Sequence, residues 1–542
     1  MKSWQEKNAN VSGWRESAGA VVLSPQALLP ELASARKAPR LRSGKFAEGV
    51  ASGDPGPHAI TLWTRIADLD RNGSVCLEVA RDKAFRRLVA SETIGTGPAR
   101  GGSVKARVNG LAAYEQYFFR FETATTHSEV GRFRTAPPAD SRQPLTFAFF
   151  SCQDFTHGYY NAHDVMADED LDFVVCLGDY IYAETYHTLA GGTAVREDAI
   201  GSPGYDDITL MATTLEHYRE KYALYRGDKS LRRVHAKAPM IVVPDDHEVQ
   251  DNYAGAAPGG GLPAEQRYSR ARERAGRRAW LEAMPTYTGR RDVTYRRLRF
   301  GRTMDLIMLD QRSFRDDQPC GDATVPPCPE LPQPRDLLGT KQMAWAKRRL
   351  DSSKAAWKVI GNEVMMMPAK VTGGAYAEYD SWQGYPTERE ELLGHIKRKR
   401  IKDVVFITGD IHTFIAGDVR TENGEGETVA LEFVGGSVTS ENFGETDLPI
   451  GGGEILLGND ADPKTDQGII DALRAINTWV DQADFDHHGF GLVNVSPREF
   501  DVRFKRVSTI KSRTRATEPD APFRYAVERG QKSVKGVNGP AV

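Results

Sequence analysis

The chain has 542 residues, 40% of them apolar and 27% charged, and 71 Lys and Arg stand against 74 Asp and Glu for a formal net charge of −3. That length can hold two or more domains with a large core, and the composition is ordinary for a globular protein. The balanced charge, without a basic stripe, argues against a nucleic-acid scaffold, and no apolar stretch approaches the ~20 residues a membrane-spanning helix needs.

Residues 1–44 lack sustained periodicity and are expected to form an N-terminal arm. Ala18–Leu23 is a short apolar run and Ala33-Ser34-Ala35 resembles a cleavage site. The mixed charge, Pro25 and the lack of twin arginines weaken an export signal, so a signal, an eroded start and a plain arm all stay open. Residues 45–138 read as all-β, with strands at Ile60–Arg65, Val75–Ala80, Val104–Val108, Tyr114–Glu122 and Glu129–Thr135. The length fits one fibronectin/immunoglobulin-like β-sandwich, and Tyr114 and Tyr117 sit where such folds carry a tyrosine corner. Ala136-Pro137-Pro138 marks its end.

From 141 to 507 strands alternate with helices, the pattern of a layered α/β domain. Five apolar runs end on metal-binding or polar residues. Thr146–Phe150 leads into Ser151-Cys152-Gln153, Asp172–Leu177 into Asp179 and Tyr182, and Met240–Val243 into Asp245-Asp246-His247-Glu248. Trp357–Gly361 leads into Asn362-Glu363, and Val404–Thr408 into Asp410 and His412. Continuous apolar runs suit strands buried on both faces, and ligands of such sheets bind beyond the strands' carboxyl ends. Leu338–Leu350 reads as a helix, and Thr387 with Glu390 as a capping box opening another that ends near Arg400. The cations of Lys397–Arg400 then suit that helix's C-terminal dipole. Residues 508–542 are basic and polar and read as a surface tail.

Five cysteines are too few for a disulfide scaffold. Cys76 and Cys176 fall in apolar patterns as core thiols, whereas Cys320 and Cys328 bracket a loop short enough to bridge, a pairing the sequence leaves open. Asp179, Asp246, Asp410 and His412 are the ligand types of a two-metal hydrolase, in which paired cations clamp a phosphate ester and acidify water.

Over residues 45–505 the ordered motifs resemble the alkaline phosphatase D (PhoD-like) family of the metallophosphoesterase superfamily. They are Gly49–Pro55, Leu62–Arg65, Ser151–Gln153, Gly178–Tyr182, Asp245–Val249, Asn252–Gly255, Arg315–Pro319, Gly361–Met365, Gly409–His412 and Glu432–Ser437. The wider superfamily's Asp-x-His, Gly-Asn-His-Glu and Gly-His-x-His become Ser151-Cys152-Gln153, Asp245-Asp246-His247-Glu248 and Gly409-Asp410-Ile411-His412. Oxyanion-rich ligands move preference from zinc toward Ca²⁺ and a high-charge iron, and a phenolate with a thiolate suits Fe³⁺. The resemblance thus implies Fe³⁺ held by Cys152, Asp179, Tyr182 and His412. Asp179 would bridge to Ca²⁺, which also takes Asp246, Asp410 and, less securely, Asn252.

The implied activity is hydrolysis of small or polymeric phosphate esters by metal-bound hydroxide, with His247 protonating the leaving oxygen. Asp380–Tyr385 and Asp486–Gly489 are expected as loops over the pocket. A phospholipase-like or polymer-directed phosphodiesterase is the nearest alternative, and a catalytically silent binding protein the rival from another class. Calcium use and the Cys320–Cys328 pair favour a periplasmic or secreted location, with the cytoplasm as the alternative. Oligomeric state and mono- versus diester preference stay open.

Overall fold

A computed structural model describes residues 23–24, 38–185, 195–196, 211–254, 269–288, 293–322, 328–371, 376–445, 471 and 473–537. Apart from Leu23, the Ala18–Leu23 run and the Ala33-Ser34-Ala35 segment lie outside them.

Two four-stranded sheets form the N-terminal sandwich. One contains Val50–Gly56, Ala59–Arg65 and Ser103–Asn109 with the short Leu23–Ser24 at its edge, and the other Gly73–Ala80, Leu88–Thr96, Gln116–Glu122 and Gly131–Arg134. Leu62, Val75, Leu77, Val104, Phe119, Phe121 and Phe133 fill the space between them, because alternate residues of each strand point inward. The Tyr117 hydroxyl accepts from the Ala112 N–H at 3.0 Å, which closes the tyrosine corner. Two features differ from expectation. Leu41 already belongs to this core and its N–H donates to the Ser74 carbonyl at 2.9 Å, so the arm gives way to the sandwich before residue 45. Cys76 lies on the outer side of its strand, half-buried with Sγ 3.5 Å from Ser91 Oγ, whereas Cys176 is fully buried.

The remainder is a stack of two mixed sheets. The six-stranded sheet runs Met240–Val242, Phe173–Cys176, Leu145–Phe150, His488–Val495, Glu499–Val507, Arg524–Glu528, with the first three strands parallel. The seven-stranded sheet runs Arg296–Phe300, Met304–Met308, Trp357–Asn362, Val404–Thr408, Thr428–Val434, Phe414–Arg420, Val480–Asp484, with its second to fifth strands parallel. Phe147, Phe149, Val175, Val359, Ile407, Phe433 and Phe500 pack between the two sheets. Helices Leu215–Gly227 and Arg270–Ala283 cover one outer face, and Gly339–Asp351 and Pro386–Lys399 the other. Strands covered on both faces read as continuous apolar runs for this reason. An isolated parallel bridge between Ser151 and Ser437 joins the sheets at their carboxyl ends.

The sandwich is fixed to this stack by buried polar contacts. The Trp63 indole N–H donates to the Glu282 carbonyl at 2.7 Å, the Arg226 guanidinium lies 3.8 Å over the Trp63 ring, and Arg296 pairs with Asp54 at 2.7 Å.

Two expected elements are corrected. The helix at Pro386 starts on a proline at its first position, after Tyr385 with no side-chain cap, so Thr387 and Glu390 form no capping box. Residues after 508 are not a loose tail: Arg524–Glu528 adds an edge strand to the six-stranded sheet, burying Tyr525 and Val527 in the core. Cys320 and Cys328 form a disulfide with their Cα atoms 5.8 Å apart. Among the described residues no helix is long and apolar enough to cross a membrane.

Candidate active site

The carboxyl ends of the parallel strands meet at the Ser151–Ser437 bridge, and the tight turns leaving them carry the polar residues inward. These turns are bent against ordinary backbone preference. Cys152, Asp179, Asn252, Asp410 and His412 all have positive φ, at 56°, 50°, 47°, 71° and 57°. Non-glycine residues held there store strain, a condition that clusters at functional sites. Gly178 is required just before Asp179: its φ is 114°, and a Cβ there would collide with the Cβ of Asp245.

Around these turns the donor atoms gather in overlapping groups, each within 4.8 Å: Cys152, Asp179 and His412; Asp179, Asp246 and His247; Asp245, Asp246 and Asp410. Asp179 belongs to the first two and Asp246 to the last two. The Tyr182 hydroxyl donates to Asp179 Oδ2 at 3.3 Å and lies 3.1 Å from His412 Nε2. His412 Nδ1 faces the Glu441 carbonyl at 2.6 Å, and a carbonyl only accepts, so Nδ1 carries the hydrogen and Nε2 is left bare toward the site. His247 is fixed in the same way, its Nδ1 on Glu184 Oε2 at 2.9 Å, its ring stacked on Tyr182 with centroids 4.1 Å apart, and its Nε2 3.7 Å from Asp246 Oδ2. Asn252 lies at the rim, half-buried, with its N–H donating to Asp246 Oδ2 at 2.7 Å.

Arg312 was not foreseen, and Glu248 and Asp380 take structural roles that the sequence did not specify. The wholly buried Arg312 guanidinium contacts four carboxylates: it donates to Asp245, and lies 3.2 Å from Asp246, 2.7 Å from Asp380 and 3.0 Å from Asp410. Glu248 accepts from the N–H groups of Tyr180 at 2.7 Å and Asp245 at 2.6 Å, tying two turns together. Arg312 follows Met304–Met308, a strand tip of the same kind as the five above, but Asp305 interrupts the apolar run and hides the pattern. Asp380 takes both Arg312 and Arg315, while Trp382 and Tyr385 beside it are fully buried. That stretch is therefore packed scaffold rather than a covering loop. His487 likewise pairs with Asp484 at 2.9 Å, and His488 opens a strand. Asn362 spans Thr408 Oγ1 and the Trp382 indole as a brace between strand ends.

One guanidinium cannot balance this many buried carboxyls. Burial pushes the Asp179 carboxyl well above its usual range, against the opposing pull of His247, and burial with the Asp245 charge does the same to Asp410. Burial and the nearby Asp179 charge raise the Cys152 thiol and the Tyr182 phenol. Asp246 goes the other way: burial raises it, but Arg312 and His247 outweigh that and hold it down to about 2. Burial lowers His412 to about 4, which keeps it neutral as a ligand must be. Asp245 Oδ2 and both oxygens of Glu363 are buried without a hydrogen-bond donor among the described residues. Orphaned oxygens, crowded carboxyls, a thiol, a phenol and a bare imidazole nitrogen make a donor set that fits metal cations.

A two-sheet α/β stack with such a set at its strand ends defines a metal-dependent phosphoesterase. The solved purple acid phosphatase PPD1 from yellow lupin (Lupinus luteus) seeds shares this fold, with a TM-score of 0.52 at 11% identity over 84% of this chain and 71% of that one. The PhoD-like phosphatase model matches residues 147–504 and its N-terminal-domain model residues 31–137, and the chain belongs to the PhoD-like phosphatase family. It is 33% identical over 527 residues to alkaline phosphatase D of Bacillus subtilis (strain 168), covering 93% of this chain and 84% of that protein. A solved structure of PhoD superposes with a TM-score of 0.79 at 32% identity, covering 93% and 94% of the two chains. The chain is thus a metal-dependent phosphoric ester hydrolase, the activity expected from its motifs.

Proposed function

We propose that the chain hydrolyses small phosphate esters with Fe³⁺ and Ca²⁺ as its cofactors. The observation that carries this reading is the convergence of the Cys152 thiol, the Tyr182 phenol and the bare His412 Nε2 on Asp179, beside the all-oxygen group of Asp246 and Asp410. The first set suits ferric iron and the second suits calcium, with Asp179 in reach of both and Asn252 at the calcium side. When bound, such cations acidify a water and take up charge on the phosphoryl oxygens.

The protein's own groups do the rest. Arg312 holds Asp246 and Asp410 in fixed orientation, and Glu248 holds the turns that carry Asp179 and Asp245. Burial disfavours charge on His247, yet Asp246, Asp179 and Glu184 overcome it and raise the imidazole well above its ordinary range. Its Nε2 lies beside the carboxylate group, where His247 can give a proton to the leaving oxygen. No nucleophilic serine is needed.

The test is metal analysis and a visible spectrum of natively purified protein, followed by assays on nitrophenyl phosphate mono- and diesters. Turnover of at least one ester with stoichiometric iron and a charge-transfer band is expected. A colourless, iron-free and fully active enzyme overturns the iron assignment. We also propose that the protein works outside the cytosol, a reading supported by the Cys320–Cys328 bridge and checked by fractionating cells that express it natively.

A further inference from the structure

A second cluster of metal-type donors lies beside the phosphoesterase centre but shares no residue with it. His157 Nε2 and His488 Nε2 both approach one oxygen, Glu445 Oε2, at 2.9 and 3.0 Å. The three donor atoms lie within 4.8 Å of one another, with both imidazoles buried and Glu445 half-buried. The residues come from separate segments: the loop after Cys152, the loop after Thr428–Val434, and the first position of His488–Val495.

Hydrogen-bond direction shows which nitrogen of His488 carries its proton. The Ser437 hydroxyl donates to the Ser440 carbonyl at 2.5 Å, so it accepts from His488 Nδ1–H at 2.9 Å. Asn442 Oδ1 accepts from the Glu445 N–H at 3.1 Å, which turns its amide Nδ2 toward His488 Nε2 at 3.3 Å. Nε2 is thus a lone pair, and it faces a carboxylate. Glu445 Oε2 also accepts the Asn442 N–H at 3.4 Å. A bare nitrogen and an ionised oxygen 3.0 Å apart repel unless a cation lies between them.

We propose that His157, Glu445 and His488 form an additional cation site, taking a zinc-class divalent ion. Two imidazoles and one carboxylate are a common ligand set for such ions, and ligands ~2.0–2.2 Å from a tetrahedral zinc stand about 3.3–3.6 Å apart, so the spacings of 2.9 and 3.0 Å need open by only a few tenths of an ångström. Ser437 is the outer partner that fixes the ligating tautomer. The ion cross-links the loop after Cys152 to residues 437–445, whose Glu441 carbonyl orients His412.

The experiment uses the natively purified full-length protein, with its iron and calcium, equilibrated with micromolar free zinc. Anomalous scattering from its crystals at the zinc edge is expected to show a peak bonded to His157 Nε2, His488 Nε2 and Glu445 Oε2. His488→Gln and Glu445→Gln should each lose one equivalent of zinc while keeping wild-type iron and calcium. Ser437→Ala should weaken zinc binding about 10–100-fold. Absence of that peak at saturating zinc, or zinc found solely at the Cys152–Asp179–His412 group, overturns the proposal. The wild-type measurement decides even if a variant fails to fold.

Discussion

The Tyr182 hydroxyl stands 3.1 Å from His412 Nε2, although 230 residues separate them in the chain. Each is held by a turn with strained backbone near it, and each faces Asp179 or its neighbours. Tyr182→Phe keeps the ring that stacks on His247 and removes the one atom that would hold the proposed iron. The visible charge-transfer band should vanish and activity should fall, read by absorbance and iron count on the same sample. A band that persists moves the chromophore to another residue.

On the proposed role of His247 as proton donor rather than ligand, His247→Ala should slow turnover by about 10²–10⁴-fold with metal counts unchanged. The loss should be smaller for nitrophenyl esters, whose leaving group needs little protonation, than for alkyl esters. Loss of metal would make His247 a ligand instead.

Arg312→Met leaves Asp245, Asp246, Asp380 and Asp410 without their shared buried cation. Breaking such a set costs on the order of 3–5 kcal/mol. Urea unfolding in chelator should show that loss, and added Ca²⁺ should restore part of it by neutralising the same carboxylates. Equal destabilisation with and without calcium would separate Arg312 from the metal site.

Metal uptake should strengthen as pH rises. Cys152, Asp179, Tyr182 and Asp410 have raised pKa values, so the metal-free protein keeps protons on them that a cation must displace. His412 and Asp246 lie at about 4 and about 2 and add no competition near neutrality. Calorimetry in two buffers of different ionisation heat should report net proton release on binding. Uptake independent of pH between 6 and 9 would contradict the assignment.

The strand-end residues were legible because buried parallel strands must be apolar throughout, so a polar residue at the tip stands out. Val50–Gly56 and Leu88–Thr96 were not, since the first carries Gly and Pro and the second mixes exposed Leu88 with polar positions. Arg524–Glu528 was hidden in a basic segment, where only Tyr525 and Val527 alternate inward. Arg312 was unreadable as a site residue, and Asp380 as its partner, because their pairing rests on which groups the two sheets bring together. Cys152 and Tyr182 gained their sense from the family resemblance; a buried thiol or phenol alone reads as packing.

The Ser151–Ser437 bridge makes the proposed metal group depend on segments far apart in the chain. One sheet is built around Leu145–Phe150 but completed by His488–Val495, which pairs with it across nearly the whole catalytic region. Most of the described strands precede Thr408, whereas Asp410, His412 and Ser437, the far side of that seam, all follow it. On the proposed ligand assignment, metal loading therefore waits until segments of both sheets have closed on each other.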